Sequence, residues 1–536
     1  MFVSFIVAMV ATMALIPLLM RVSARLGMID EPEPRKVHET SIPRVGGLAM
    51  LAGVLLPLLA LQILPRPIIG ILVGVLIVVA EGVWDDRRPL GYREKFAAQF
   101  LAAIAVVLVG GIEIQRIVLF SEVLLPAWVS MPLTVLVLVA LTNAINLSDG
   151  LDGLAGGIAF LCCAALGVLA YGTGNTPAVV LAVALCGALI GFLRFNTHPA
   201  TVFMGDGGSQ LLGLATAGLA IYVTQFESSL ISVTTPLFLL GVPIVDTAYV
   251  MLGRIRAGRS PFVADKNHLH HRLLRMGLYH GESVALIYCM QSVLLAAAFL
   301  LRYESDLLNI AVFAACGIVL LSLLMQPRAP GLIIAVMRVG DRDTTAPRFT
   351  GAWLGKASTW ALYLGLIVYA ALAVAVLEPT FDIAVLLAGL FAAVLIGCAI
   401  QRPPICAVVT RGSAYVLAVA MSYLFAQPDV FEPLVHRFEM LMVIGIAVAT
   451  VASLRFADTS SFKFNTLDVL VLIMAVIVPN LPGTVLGGTY LPALAARIVV
   501  FFYALEFVLR DGRELARGNA AVMLVALGAM ALNGFV

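Results

Sequence analysis

The chain has 536 residues, of which 61% are hydrophobic and 12% are charged, and its mean hydropathy is +1.04. Soluble domains carry about 25% charged residues, so this composition excludes a soluble globular protein and indicates an integral membrane protein. The formal net charge of +2 says little as a total, and the positions of the charged residues carry the information.

Apolar runs long enough for membrane-spanning helices, rather than for the shorter strands of a barrel, recur along the whole chain. The predicted fold class is all-α, a polytopic integral membrane protein with about 11 transmembrane helices in residues 1–326 and about 6–7 more in residues 357–536. The first set lies near residues 1–20, 45–64, 67–84, 96–112, 128–147, 154–171, 177–195, 208–224, 230–252, 284–301 and 307–325. Residues 327–356, which are rich in basic residues, are predicted to be a cytoplasmic linker.

Basic residues predict how these spans are oriented. The outer loops as far as residue 306 contain only Arg66, Arg116 and Arg302, whereas the loops on the other side are rich in Lys and Arg. The positive-inside rule therefore places the N-terminus outside. It also places every cluster of polar residues with chemical potential on the cytoplasmic side.

The first two inner loops contain paired cations and paired acids. Lys36 and Arg44 lie in R-K-V-H-E-T-S-I-P-R-V-G-G, where cations and open backbone amides could bind a phosphate; a positive-inside anchor is the alternative. Asp85 and Asp86 lie in W-D-D-R-R-P-L-G-Y-R-E-K-F, where the third span ends. Adjacent acids repel, which suits a general base or a metal neighbour, although a solvated helix cap is equally compatible.

The third cluster, N-A-I-N-L-S-D-G-L-D-G-L-A-G-G, begins at residue 143. It places amides and carboxylates at three-residue steps, namely Asn143, Asn146, Asp149 and Asp152. Each step drifts by about 60° round a helix, so an unbroken helix would send the first and last side chains in opposite directions. Gly150 and Gly153 can break the helix and let these side chains converge. Their hard oxygens are ligands that Mg²⁺ prefers.

Two further inner loops contain polar residues that could form part of a site. In R-F-N-T-H-P-A-T-V-F-M-G-D-G-G-S, Asp206 lies between glycines, which would expose it to a metal-bound diphosphate; a simple Asp-Gly turn is the alternative. The longest inner loop contains H-L-H-H among several cations. Zinc binding is disfavoured there because no suitably spaced cysteine or second carboxylate set lies nearby, and phosphate recognition is favoured. Without a P-loop, ATP-driven transport is not expected.

At these five loops the sequence resembles the polyprenyl-phosphate N-acetylhexosamine-1-phosphate transferases, which form glycosyltransferase family 4. The matching motifs are P-R-V-G-G, D-D-R-R-P-L, N-A-I-N-L-S-D-G-L-D-G-L, V-F-M-G-D-G-G-S and D-K-N-H-L-H-H-R-L-L, and they cover about residues 1–326. The H-x-H-H form is more similar to the undecaprenyl-phosphate N-acetylglucosamine-1-phosphate transferase branch than to the branch that uses a muramyl-pentapeptide donor.

The resemblance implies a reaction at the cytoplasmic face of a bacterial inner membrane that initiates cell-envelope glycan synthesis. UDP-N-acetylhexosamine and undecaprenyl phosphate would give a lipid-linked diphosphate sugar and UMP, with Mg²⁺, or alternatively Mn²⁺, as cofactor. The bilayer is an expected partner and nucleic acid is not, and a homodimer is left open. Direct attack by the lipid phosphate is favoured over a phosphoryl-enzyme intermediate, which the sequence does not exclude.

The resemblance also implies roles for individual residues. Asp206 and Asn146 would be metal ligands, and Asp85, supported by Asp86, would deprotonate or position the lipid phosphate. The catalytic set is thus Asp85, Asp86 and Asp206. The predicted substrate-binding residues are Lys36, Arg44, Asn143, Asp149, Asp152, Arg194, Asn196, Arg254, Arg259, Asp265, His268, His270 and His271.

Three rival hypotheses remain at this point. A transporter or flippase would place ionisable residues at mid-membrane depth. A catalytically dead scaffold would have lost one of the key acids or the H-x-H-H run, and all are present. Within the family, the donor could be a 6-deoxy N-acetylhexosamine or a muramyl-pentapeptide conjugate. The resemblance says nothing about the helices that follow residue 356.

Overall fold

The computed structural model describes residues 2–31, 41–260, 267–325, 352–377, 381–399, 403–425, 433–456, 491–510 and 525–533, with a few isolated positions. Lys36, Asp265 and the predicted linker at 327–356 lie outside the described residues, except for the first turn of the helix that begins at Ala352. The described chain forms two compact units. The first holds the helices up to Met325 and the second holds those from Ala352 onward.

Each of the eleven predicted spans of the first unit coincides with a helix or a helix pair. The helices are α1 (Phe2–Leu26), α2 (Gly46–Ala60), α3 (Arg66–Arg87), α4 (Tyr92–Gly110), α5 (Ala127–Ser148), α6 (Leu154–Gly172), α7 (Thr176–Asn196), α8 (Gly205–Thr224), α9 (Thr235–Leu239), α10 (Gly241–Arg256), α11 (Leu269–Arg275), α12 (His280–Leu300) and α13 (Asp306–Met325). Short antiparallel pairs join some of them: β1 (Ile29–Asp30) with β2 (Ile42–Pro43), and β3 (Arg116–Val118) with β4 (Glu122–Leu124). The predicted all-α fold is confirmed.

The second unit is also helical. It contains α14 (Ala352–Val376), α15 (Phe381–Ala399), α16 (Pro403–Phe425), α17 (Pro433–Phe456) and α18 (Leu491–Arg510), a helical stretch at 525–533, and a short pair of β5 (Val485–Leu486) and β6 (Thr489–Tyr490). By length and composition, seven of the described helices in the whole chain could each cross a membrane, and several shorter apolar helices accompany them. The protein is therefore a multi-pass membrane protein.

The ninth predicted span is broken rather than continuous. Helix α9 ends at Leu239 and α10 begins at Gly241, and Pro243 in the first turn of α10 has no N–H to continue the hydrogen-bond ladder. The amide of Gln291 on α12 donates to the freed carbonyls of Phe238 and Leu239 at 3.1 and 2.8 Å, and its oxygen accepts from the Val242 amide at 3.1 Å. A neighbouring helix thus satisfies the backbone groups that the break exposes.

One end of the first unit is held by a fully buried carboxylate. Asp306 at the start of α13 accepts hydrogen bonds from Ser232, from the backbone and hydroxyl of Thr234, and from the Val118 amide in β3. A buried charge is tolerated when this many donors surround it. Asp306 therefore ties together two of the loops that were predicted to lie outside and the start of the ninth predicted span.

Helices α3 and α8 cross with their backbones in contact. A Cβ atom added at Gly82 would lie 2.2 Å from the backbone nitrogen of Gly207, and one added at Gly47 on α2 would lie 2.5 Å from the nitrogen of Gly208. Backbone atoms cannot move aside as a flexible side chain can. The M-G-D-G-G segment is therefore glycine-rich because two helices must approach α8 at its first turn.

Replacing Gly82 by alanine should destabilise the first unit by about 1–3 kcal/mol, because the added methyl group forces α3 away from α8. Thermal unfolding in detergent measures the effect. Gly172→Ala is the matched control, since no atom lies within 4 Å of the Cβ position there. Equal melting temperatures for the two variants would contradict the close crossing.

A candidate active site at one end of the first unit

The site begins with three carboxylates at helix ends. Asp85 and Asp86 occupy the last turn of α3, and Asp206 lies in the first turn of α8. The Lys95 ammonium on α4 bridges two of them, 2.7 Å from Asp85 Oδ2 and 2.6 Å from Asp206 Oδ2. We call Asp85, Asp86 and Asp206 the acidic centre. The three predicted catalytic residues therefore lie together, joined by a lysine that was not among the predicted site residues.

Each aspartate of the α3 pair has a different environment. Asp85 Oδ1 accepts from the Leu90 amide at 2.7 Å and caps the turn after α3, so the cap interpretation is confirmed, while a role as general base or metal neighbour stays a prediction. Asp86 is buried, and its Oδ1 lies 3.4 Å from Arg44 Nη1 and 3.4 Å from the Asp206 amide nitrogen. Arg44 also pairs with Asp30. The acidic centre thus carries two cations in its immediate surroundings.

The glycines of the P-R-V-G-G motif do not leave amides open for a phosphate, and that part of the prediction is wrong. The Gly46 amide donates to the Phe203 carbonyl at 3.0 Å and the Gly47 amide donates to the Met204 carbonyl at 2.9 Å. These bonds dock the segment against the loop before α8. The segment contributes Arg44 to the site, while its backbone serves packing.

The predicted break in the N-A-I-N-L-S-D-G-L-D-G-L run is confirmed. Helix α5 ends at Ser148, and α6 begins after Gly153, whose φ of +82° favours glycine. Gly150 serves a different purpose, because a Cβ there would lie 2.1 Å from His270 Nε2. Its missing side chain lets the histidine of α11 approach the loop, and this contact joins the third and the fifth of the five motifs.

The two asparagines of this run lie on the last turns of α5. Asn146 Oδ1 accepts from the Ser209 hydroxyl at 2.7 Å, and that hydroxyl also lies 3.2 Å from the Asp206 carbonyl oxygen. Asn146 is therefore close to the first turn of α8, as its predicted metal role requires. Asn143 is half-buried one turn earlier.

Asp149 caps the end of α5 and keeps its side chain exposed to solvent. Although the residue is exposed, the surrounding protein atoms and the carboxylates of Asp206, Asp152 and Asp86 disfavour its charged form and raise its pKa.

The remaining carboxylate of the run, Asp152, contacts two histidines that the motif analysis did not select. His198 Nδ1 lies 2.7 Å from Asp152 Oδ2, and His280 Nε2 accepts from the Asp152 amide at 3.0 Å. Donor atoms of the three residues lie within 4.8 Å of one another, which is close enough to hold a metal ion. Their place in the sequence, outside the five motifs, gave no signal.

The H-x-H-H histidines have unequal surroundings. His268 is buried and its Nδ1 lies 2.9 Å from Asp246 Oδ2, while the Leu269 amide donates to the other oxygen of that carboxylate at 2.7 Å. Burial and the neighbouring histidines lower the pKa of His270 to about 3. His270 is therefore neutral at physiological pH and has no positive charge to pair with a phosphate, and its predicted role in substrate binding stays a prediction. The His271 ring lies beside it, with centroids 4.2 Å apart and planes tilted by 46°.

Two of the predicted arginines, Arg254 and Arg259, line a separate cavity of about 500 Å³. We call it the arginine pocket; its lining includes Tyr249, Arg254, Arg259, Asn267, Arg272 and Arg275. Arg272 packs over the Tyr249 ring at 4.8 Å. On α11, Arg272 and Arg275 point away from the face on which His270 meets the loop at Gly150, because successive residues turn by about 100°. The structure thus separates these arginines from the histidine of the same loop.

Two other predicted binding residues have contrasting positions. Asn196 is buried, accepts from the Gly153 amide at 2.9 Å and donates to the Val202 carbonyl at 2.9 Å. Its side chain connects two loops of the site. Its predicted contact with the substrate stays a prediction. Arg194, two residues earlier on α7, is exposed.

Comparison with known proteins now identifies the family. Residues 68–224 match the model described as glycosyl transferase family 4. The probable undecaprenyl-phosphate N-acetylglucosaminyl 1-phosphate transferase of Bacillus subtilis is 36% identical over 302 residues, which cover 56% of this chain and 84% of the relative. The chain belongs to glycosyl transferase family 4.

Other members of the family give the same result. The decaprenyl-phosphate N-acetylglucosaminephosphotransferase of Mycolicibacterium smegmatis is 34% identical over 341 residues, covering 56% of this chain and 83% of the relative. The undecaprenyl-phosphate alpha-N-acetylglucosaminyl 1-phosphate transferase of Escherichia coli K12 is 28% identical over 292 residues, covering 53% and 79%. All these alignments leave more than two fifths of the present chain unmatched.

Proposed function

We propose that the protein transfers N-acetylglucosamine 1-phosphate from UDP-N-acetylglucosamine to undecaprenyl phosphate. A phosphate oxygen of the lipid attacks the β-phosphorus of the donor, and the bond from that phosphorus to the bridging oxygen breaks. UMP leaves with the bridging oxygen, and the lipid keeps a diphosphate-linked sugar. The convergence of Asp85 and Asp206 on Lys95, with Asp86 beside Asp206, carries this proposal, together with the names of the relatives.

The protein side chains have separable tasks in this reaction. Asp85 positions the lipid phosphate or removes its last proton, and Asp86 with Arg44 fixes the geometry beside it. Lys95, now shared by two carboxylates, is within reach of the phosphate oxygens that approach the acidic centre and can balance their charge. Phosphoryl transfer needs little covalent chemistry from a protein, so positioning and charge compensation supply most of the acceleration.

The acidic centre fits Mg²⁺. Asp85 and Asp206 supply hard oxygens, and Asn146 beside the centre supplies another. The Lys95 ammonium between the two carboxylates marks a position where the fold favours a cation. Bound Mg²⁺ would neutralise charge on the diphosphate and on the leaving UMP. Asp206 and Asn146 would hold it, with Mn²⁺ as an alternative ion.

The site is proposed to face the cytoplasm of a bacterial cell, at the inner membrane. The scarcity of basic residues in the loops on the far side supports this orientation. A nucleotide donor is charged and cannot cross the bilayer unaided, which also fits a site that faces the cytoplasm. A flippase is disfavoured, because the acidic centre lies at helix ends rather than in the middle of the spans.

UMP release by the purified protein tests the function. With undecaprenyl phosphate, Mg²⁺ and UDP-N-acetylglucosamine we expect stoichiometric formation of UMP and lipid-linked sugar, and no UMP when the lipid is left out. Donors carrying 6-deoxy N-acetylhexosamine or muramyl-pentapeptide should react more slowly. Faster reaction with one of these would change the assigned donor, and absence of UMP with every donor would refute the transferase assignment.

A further inference from the structure

The Asp152 carboxylate is held on one oxygen and free on the other. Its Oδ2 accepts from His198 Nδ1 at 2.7 Å and from the Ala200 amide at 3.1 Å. Among the described residues, Oδ1 accepts no hydrogen bond from the protein. The side chain is 20% exposed. One oxygen is therefore fixed by the loop after α7, while the other is left to accept a hydrogen bond from a ligand.

His280 holds the backbone of the same residue. The Asp152 amide donates to His280 Nε2 at 3.0 Å, so this nitrogen is the acceptor and neutral His280 carries its proton on Nδ1. Within the described part of the chain, that buried Nδ1 has no partner. An unpaired buried donor costs about 1–3 kcal/mol. The folded protein tolerates this unpaired donor, and the His280 ring stays against Asp152.

The two imidazoles also support each other. The rings of His198 and His280 stack with centroids 4.1 Å apart and planes 18° from parallel. They come from different parts of the chain, the loop after α7 and the first residue of α12. Nearby, Tyr288 on α12 donates to the Gly153 carbonyl at 2.7 Å. The loop that contains Asp152 is thus clamped between α7 and α12.

A metal ion is one use of two histidines and an aspartate, but the contacts favour a clamp. The atoms that would coordinate a metal already bond within the group: Asp152 Oδ2 with His198 Nδ1, and His280 Nε2 with the Asp152 amide. Oxygen-rich ligands for a hard ion are available separately at the acidic centre. The group needs no ion to satisfy the hydrogen bonds described.

We propose that His198 and His280 are positioning residues that orient Asp152, so that its free oxygen accepts a hydrogen bond from an N–H or O–H group of the donor's nucleoside. This inference rests on the proposed function and adds to it that Asp152 lies at the nucleotide end of the donor. It assigns the two histidines to affinity for the nucleotide and not to the chemical step.

Steady-state kinetics with substitutions at both histidines test the proposal. His198→Ala and His280→Ala should each raise KM for the UDP-sugar by about tenfold, the equivalent of one hydrogen bond to a charged group, with kcat and KM for the lipid nearly unchanged. His198→Asn and His280→Gln keep a polar atom near the lost nitrogen and should restore most of the affinity. UMP binding measured by calorimetry should weaken in parallel with the alanine variants.

Two controls separate positioning from general damage to the loop. Thr201→Ala removes a hydroxyl that donates to the Phe195 carbonyl at 3.0 Å in the same loop without touching Asp152, and it should leave KM unchanged. In an Asp152→Asn background, His198→Ala should add little, because both changes remove the same interaction.

Several results would overturn the proposal. These are an unchanged donor KM in both alanine variants, a fall in kcat alone, an equal loss in Thr201→Ala, or Zn²⁺ binding that requires all three residues and raises activity. Wild-type protein that releases no UMP would instead refute the proposed function, so the two failures are distinguishable.

Discussion

Asp206→Asn should reduce UMP release by about a thousandfold, the size of loss expected when a charge-stabilising group is removed from an active site. Asn keeps the shape of the side chain and one acceptor oxygen, but it removes the charge that lies 2.6 Å from Lys95 Nζ. The change therefore weakens cation binding at the acidic centre while sparing the packing of α8 against α3. Initial rates across a range of Mg²⁺ concentrations measure the effect.

A matched substitution controls for the loss of one negative charge. Glu227→Gln alters an exposed carboxylate in the loop after α8 and should leave the rate unchanged. A higher Mg²⁺ requirement in Asp206→Asn, with partial recovery at high Mg²⁺, would agree with a ligand role. Near-normal turnover at low Mg²⁺ would refute the role assigned to Asp206.

The helices of the first unit were predicted well from the sequence, because each is a long apolar run that must be buried in a membrane or in a protein core. The sequence also predicted which polar clusters meet. The loops that contain Asp85, Asn146 and Asp206 are joined by contacts, as the alternation of spans requires. The break between α9 and α10 was missed, since hydropathy does not register one proline beside a glutamine on another helix.

Pair contacts within the site were harder to predict. Lys95 was visible as one cation among several after Asp86, and only the crossing of α3, α4 and α8 places it between two carboxylates. His198 and His280 are far apart in the sequence and belong to no motif, so no spacing could pair them. Gly150 was predicted only to break a helix, whereas its missing side chain also permits the close approach of His270.

The second unit contains a buried ion pair that no part of the transferase proposal uses. Arg497 on α18 donates from Nε and Nη2 to the two oxygens of Glu439 on α17, both at 2.7 Å, and the Tyr369 hydroxyl on α14 donates to the same carboxylate at 3.1 Å. Glu439 is fully buried and Arg497 is 5% exposed. The pair therefore joins three helices in surroundings that solvate charges poorly.

Glu439→Ala should destabilise the second unit by about 3–5 kcal/mol, because it leaves the Arg497 guanidinium buried without a counter-charge. Thermal unfolding in detergent, monitored by proteolysis of the second unit, measures the loss of stability. Asp382→Asn, at an exposed carboxylate in the first turn of α15, should have little effect.

The double change Glu439→Leu with Arg497→Met separates an unpaired charge from lost packing. Removing both charges leaves apolar side chains of similar length, so the double variant should be more stable than Glu439→Ala and close to wild type. If the double variant were as unstable as the single one, the instability would come from packing rather than from an uncompensated charge. The two side chains would then stabilise the second unit by packing, and the presence of their charges would need a different explanation.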